Sequence, residues 1–147
     1  MENITFSHEF FMKKALEQAK IAFLNDEVPV GAVIVCKNQI ISKGYNFVEH
    51  LTDVTAHAEI QAMTSAFSFL GSKYLNNCTL YTTLEPCVMC AGAANLARID
   101  QIVYGADDNK KGFSKHLKLL NPNIKLVSGI LIEDCRKILK DFFIEKR

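Results

Sequence analysis

The chain has 147 residues, of which 49% are hydrophobic and 22% charged, with a formal net charge of +1. That is enough for one compact domain, residues 1–147, with a substantial core, and it excludes a chain that stays disordered for want of apolar side chains. It also excludes attraction to nucleic acid by overall charge, so any such binding would need a local basic patch.

The opening Met1-Glu2-Asn3-Ile4-Thr5-Phe6 lacks the basic and apolar regions of a signal peptide. No apolar run reaches the ~18 residues of a membrane-spanning helix. The expected compartment is the cytoplasm, and an odd number of cysteines, five, argues for reduced thiols over a disulfide framework. From Ser7 to Leu24, Phe11, Ala15, Leu16, Ala19, Ala22 and Phe23 recur at helical spacing, with Ser7 as N-cap. Val30 to Val35 is a buried strand and Ile40 to Tyr45 its antiparallel partner, joined by a polar turn at Lys37-Asn38-Gln39. Asn46 to Val54 is loop. A helix from about Ala56 to Leu70 follows, capped by Thr55, with Ile60, Met63, Ala66 and Phe67 on its inner face.

Cys78 to Thr83 alternates as a strand, and Leu84-Glu85-Pro86 turns into a helix whose first turn suits Pro86. That helix continues through the small residues Ala91 to Ala97. Ile99 to Tyr104 is a fourth strand stopped by Gly105, Ser114 to Leu120 a short helix, and Ile124 to Val127 a fifth strand. Leu131 to Glu145 closes the chain as an amphipathic helix, with Leu131, Cys135, Ile138, Leu139, Phe142 and Phe143 facing inward. This order implies a three-layer α/β/α sandwich around a mixed five-stranded sheet.

Two short stretches carry the chemistry: His57-Ala58-Glu59 and Pro86-Cys87-Val88-Met89-Cys90, each at a helix start. Cys87 and Cys90, three apart, share one helix face, and a helix N-terminus favours the thiolate that metals require. With His57 they make three ligands of a catalytic zinc, one ion per subunit, whose fourth position is left to water or hydroxide. Glu59, two residues from His57, points elsewhere and is placed to move protons as the acid/base. A Cys-x-x-Cys redox pair is a competing reading, but it leaves His57 and Glu59 without a role. A structural zinc would need a fourth ligand, for which Cys78 or His50 could serve. Cys36, Cys78 and Cys135 sit in apolar patterns and read as buried free cysteines, and His8, His50 and His116 as isolated surface or loop histidines.

His-x-Glu paired with Pro-Cys-x-x-Cys resembles the zinc-dependent nucleobase deaminases, the cytidine-deaminase-like superfamily. Within it the chain is most similar to the bacterial tRNA-specific adenosine deaminases. The likeness runs over nearly the whole length, and it is closest at Glu27 to Val33, Thr55 to Ile60 and Thr82 to Ala93. The resemblance implies zinc on His57, Cys87 and Cys90, Glu59 as proton shuttle, and Asn46 reading the base with an amide that both donates and accepts. It further implies a pocket lined by Val30, Ala58 and Leu84, with the Ala58 main chain on the base edge. Asp108 corresponds to a ribose contact, though the adjacent Asp107 leaves the register open. The implied reaction is hydrolytic conversion of adenosine to inosine at the wobble position of a tRNA anticodon loop, with release of ammonia, by a homodimer. The alternative is deamination of a free base or nucleoside of guanine or cytosine type.

Three departures from the family pattern bear on the substrate. Val54 stands where proline is common, Lys110 to His116 replaces a Lys-Thr-Gly-Ala-Ala-Gly-like stretch, and the basic C-terminal extension is reduced to Glu145-Lys146-Arg147. The segment Lys110-Lys118, with Lys110, Lys111, Phe113, Lys115, His116 and Lys118, is the candidate contact for the anticodon loop. It combines positive charge for phosphates with an aromatic that could stack on a splayed base; the competing reading is a solvated basic loop.

Overall fold

The structure, a computed structural model, describes residues 6–146. Met1 to Thr5, where no signal-peptide pattern is expected from the sequence, and Arg147 lie outside the described residues. The elements run α1 (His8–Leu24), β1 (Gly31–Cys36), β2 (Gln39–Tyr45), α2 (Val48–Leu51), α3 (Ala58–Leu70), β3 (Cys78–Leu84), α4 (Val88–Leu96), β4 (Gln101–Ala106), a 3-10 segment (Phe113–Leu119), β5 (Lys125–Val127) and α5 (Ile132–Glu145).

The five strands form one sheet in the order β2-β1-β3-β4-β5. Pairing is antiparallel for β1 with β2 and with β3, and parallel for β3 with β4 and β4 with β5, so the sheet is mixed as expected. Alternation along each strand splits the core into two layers. Ala32, Ile34, Leu80, Ile102 and Tyr104 face α3 and α4, whereas Val33, Val35, Tyr81 and Val103 face α1 and Cys135 of α5. Gly44 lets α3 lie directly on β2: a Cβ there would stand 2.5 Å from the Ala58 oxygen and 2.6 Å from the Ala62 nitrogen. Among the described residues no helix is long and apolar enough to cross a membrane.

Several expectations shift, each for a physical reason. Ser7 does cap α1, accepting from Phe10 N at 3.1 Å, but Thr55 does not cap α3. Its hydroxyl and its N–H both donate to Asp53 Oδ1, at 2.7 and 2.8 Å, so the helix starts later, with His57 at the N-cap. Pro86 stands before the N-cap Cys87 and not inside α4. The inner face of α3 is built from Ala58, Glu59, Ala62, Met63 and Ala66, with Ile60 and Phe67 only partly buried. The β4 strand runs through Gly105, because parallel pairing continues to Leu84↔Ala106. Asn46 to Val54 contains the single turn α2, and the helix foreseen from Ser114 is a 3-10 segment broken at His116. In α5, Cys135 and Phe142 are buried, but Phe143 points outward and is 50% exposed.

The reading of Cys36 and Cys78 as free thiols is overturned. They are directly opposed in the β1–β3 ladder and joined as a disulfide, with Cα atoms 4.5 Å apart. That is the spacing of a non-hydrogen-bonded antiparallel pair, where facing side chains come closest. The free cysteines are Cys87, Cys90 and Cys135.

Candidate functional site

The site forms where β3 ends and two helices begin. His57 is the N-cap of α3 and Cys87 the N-cap of α4, both with extended backbone and neither making a side-chain cap bond. Their side chains are therefore free to turn toward each other, while the unpaired N–H groups of both helix starts make the region electropositive. Cys90, in the first turn of α4, points to the same spot. His57 Nδ1 lies 3.6 Å from Cys87 Sγ and 3.5 Å from Cys90 Sγ. The ligand atoms of the three residues lie within 4.8 Å of one another, so the group is positioned to hold a metal ion.

Proton sharing ties the three together. A hydrogen bond from the Cys90 thiol, with further help from His57, brings Cys87 down to about 4. Cys90 is pushed up, first by holding its proton toward Cys87. His57 is raised, first by its bond to Cys87. These are the groups a cation takes over, since binding releases protons from thiols and leaves imidazole neutral. Glu59 is buried beside them at 3% exposure, and loss of solvation raises its carboxyl to about 7. A carboxyl poised there can both take and give a proton at neutral pH.

A cavity of about 1010 Å³ opens over this centre. Its lining brings together His57, Ala58, Glu59 and Cys87 with Asn46, Val30, Leu84, Asp107 and Asp108, the residues the sequence singles out except for the buried Cys90. Asn46 Nδ2 donates to the Val28 oxygen at 3.2 Å, whereas its Oδ1 is buried and finds no partner among the described residues. Asp107 and Asp108 are now distinguishable. Asp107 pairs loosely with Arg136 of α5 at 3.8 Å, whereas Asp108 Oδ1 accepts from the Lys110 and Lys111 N–H groups at 3.1 and 3.0 Å.

The basic segment divides. Lys110 and Lys111 line the cavity, but Lys115, His116 and Lys118 do not. Phe113 is not available to stack on a base: it is 2% exposed, edge-on to Tyr104 at 6.0 Å. An apolar residue flanked by charge reads equally as core or surface until its packing is known. Sequence reasoning also missed two buried carboxylates at the cavity. Glu27 accepts from the Glu49 and His50 N–H groups at 3.0 and 2.9 Å, and Glu85 from those of Asp108 and Ser114 at 3.1 and 3.0 Å. Their place next to apolar motif residues was the available signal.

The fold and the His/Cys/Cys centre are those of a cytidine-deaminase-like enzyme. Residues 6–147 match the family described as MafB19-like deaminase, and the chain belongs to the deaminases, in the group of the tRNA-specific adenosine deaminases. The tRNA-specific adenosine deaminase of Bacillus subtilis (strain 168) is 43% identical over 145 residues, covering 95% of this chain and 90% of its own. A solved structure from work on A-to-I editing by tRNA:A34 deaminases at the wobble position superposes with TM-score 0.84 at 40% identity, over 88% of this chain and 99% of that one. A guanine deaminase from Bacillus subtilis is 43% identical, with TM-score 0.65, over 69% of this chain and 65% of its own.

Proposed function

We propose that the chain hydrolyses adenosine to inosine at the wobble position of a tRNA anticodon loop, releasing ammonia, with zinc on His57, Cys87 and Cys90. The observation that carries this reading is the convergence on one cavity of the three metal-ligand side chains, the buried Glu59 carboxyl and the unpartnered Asn46 oxygen. The donor spacing fits zinc. Bonds of about 2.3 Å to sulfur and 2.0 Å to nitrogen at a tetrahedral angle set S and N about 3.5 Å apart; the structure has 3.6 and 3.5 Å.

Zinc, when bound, supplies Lewis-acid activation of water near neutral pH. Glu59 carries the proton: it receives one from the attacking water, delivers one to the ring nitrogen, and serves the departing amine. One water is consumed, the exocyclic C–N bond breaks, a carbonyl forms and ammonia leaves. Asn46 Oδ1 accepts from the purine edge, the Ala58 main chain meets the same edge, and Val30 and Leu84 hold the ring between apolar walls. Asp108, with one oxygen committed to its own loop, keeps the other for a ribose hydroxyl, and Lys110 and Lys111 face phosphates. An anticodon loop suits such a cavity because its target base is already unpaired. The cytoplasm is the compartment that goes with this substrate. A homodimer is part of the reading, with the exposed Val88, Met89 and Leu96 of α4 offering apolar surface; sedimentation at a monomer mass would remove it.

Deamination of free guanine is the second reading, favoured by the 43% identity to a guanine deaminase. An anticodon stem-loop with adenosine at the wobble position, assayed beside free guanine, cytosine and adenine, separates the two. Inosine in the RNA supports the first reading; ammonia from a free base alone refutes it.

A further inference from the structure

Two loops wall the cavity, residues 46–54 and residues 107–114, and the second carries Asp108, Lys110 and Lys111. Its apolar anchor is modest: Phe113 alone is driven into the core, while Lys110, Lys111 and Ser114 are exposed. We propose that Glu85 is a positioning residue: its carboxylate clamps this loop to the turn bearing Cys87 and so sets where Asp108, Lys110 and Lys111 stand over the substrate. This rests on the reading of loop 107–114 as a substrate wall.

Glu85 is 4% exposed, and its two oxygens are divided between the two ends of the loop. Oε1 accepts from Asp108 N–H at 3.1 Å and Oε2 from Ser114 N–H at 3.0 Å. Between those ends Gly112 lies so close that a Cβ on it would collide with Oε2. The main chain repeats the tie: Phe113 N–H donates to the Pro86 oxygen at 3.0 Å, and Gly112 bridges to Cys87. Asp108 then organises the interior, accepting from Lys110 and Lys111 N–H and, through its main-chain oxygen, from Gly112 N–H at 2.9 Å. Removing the outer clamp therefore releases the inner turn as well. The loop stands over the metal centre, since Asp108, Lys110 and Lys111 line the same cavity as His57 and Cys87.

The two oxygens of Glu85 each accept one main-chain N–H, from opposite ends of the loop. Glutamine has the same shape but one acceptor, so Glu85→Gln sets an amide donor against one of the two N–H groups. His57, Cys87 and Cys90 are untouched, and the Glu85 main-chain N–H keeps its bond to the Ala106 oxygen at 2.8 Å.

The test uses Glu85→Gln and Gly112→Ala, which disturbs the same carboxylate from the opposite side. Amide hydrogen exchange on the zinc-loaded protein should show Asp108 and Ser114 losing protection by about tenfold or more, while Leu80 and Val103 in the sheet keep theirs. With the anticodon stem-loop, KM should rise roughly tenfold or more, kcat should stay within about threefold, and metal content should remain one zinc per chain. The double variant should fall well short of the product of the single effects, because both act on one clamp. Unchanged exchange at both amides, exchange raised evenly through the sheet, or a loss confined to kcat overturns the proposal. If the wild-type protein leaves the stem-loop unmodified, the functional reading fails, and the exchange experiment still decides the clamp.

Discussion

Replacing Asn46 with alanine separates stability from activity. In the free protein Asn46 Oδ1 is buried without a partner among the described residues, a situation that costs about 1–3 kcal/mol. Its Nδ2 returns about 0.5–1.5 kcal/mol through the bond to the Val28 oxygen. That oxygen does not become orphaned in the variant, because Val30 N–H already donates to it at 2.8 Å. The Asn46 main-chain bond to the Val30 oxygen at 3.1 Å also survives. Asn46→Ala should therefore be neutral or stabilising by up to about 2 kcal/mol in urea melts. Activity should move the other way. Without Asn46 Oδ1 the base donor it accepts from is left unpaired in the cavity, which costs about 1–3 kcal/mol, so kcat/KM on the stem-loop should fall by roughly 5- to 150-fold. Asn46→Asp, which sets an oxygen against the Val28 carbonyl, should lose both. Destabilisation of Asn46→Ala by more than about 2 kcal/mol with kcat/KM within about threefold would refute the reasoning and make Asn46 a structural loop residue.

Glu59→Gln should keep one zinc per chain by metal analysis while kcat drops about 10²- to 10⁴-fold, the usual contribution of a positioned acid/base; retained activity would remove Glu59 from that role. Denatured without reductant, the protein should titrate three thiols, with five after reduction, because Cys36 and Cys78 are paired. Breaking that pair should cost about 2–4 kcal/mol of stability, and Cys135, whose thiol burial raises to about 12, should resist alkylation until unfolding. Glu27 gives a pH dependence. Bonds from the His50 side chain and the Glu49 and His50 N–H groups outweigh its desolvation and hold its carboxyl below 4.5. A depressed folded value means the stabilisation is full above pH 4.5 and fades as pH falls through that lower value. The stability gap between wild type and Glu27→Gln should therefore close on acidification below 4.5; a gap independent of pH would remove Glu27 from this role.

The layers, the mixed sheet and the antiparallel β1–β2 pair were readable because β1 is a continuous β-branched run, Cys78 to Thr83 alternates, and the long helices carry apolar stripes. The His57-Cys87-Cys90 cluster was readable because its geometry is local. An N-cap cysteine and another three residues on must share a face, and the histidine needed only to open a second helix. What escaped depended on long-range partners. Thr55 looked like a cap until Asp53 claimed its hydroxyl. Phe113 looked like a stacking aromatic until Tyr104 and the core received it. Cys36 and Cys78 stand 42 positions apart in sequence and become neighbours only through the β1–β3 register.

The cysteines show how far residue type alone carries. Cys87 and Cys90 sit at a helix start with a histidine 3.5–3.6 Å away, Cys36 and Cys78 face each other across a ladder, and Cys135 is fully buried under the sheet. Backbone position decides between a cluster able to hold a metal ion, a cross-link and packing. The carboxylates divide in the same way. Among the described residues Glu59 bonds only within the His57-Cys87-Cys90 group and to its own N–H, and burial lifts it toward neutrality. Glu27 and Glu85 each accept two main-chain N–H groups and serve as anchors for the two loops that wall the cavity. A proton placed on either oxygen of such a carboxylate would compete with the N–H bond that anchors a loop. The proposed acid/base role is therefore better suited to Glu59, and changes at Glu27 or Glu85 should reach the chemistry only through the geometry of the walls.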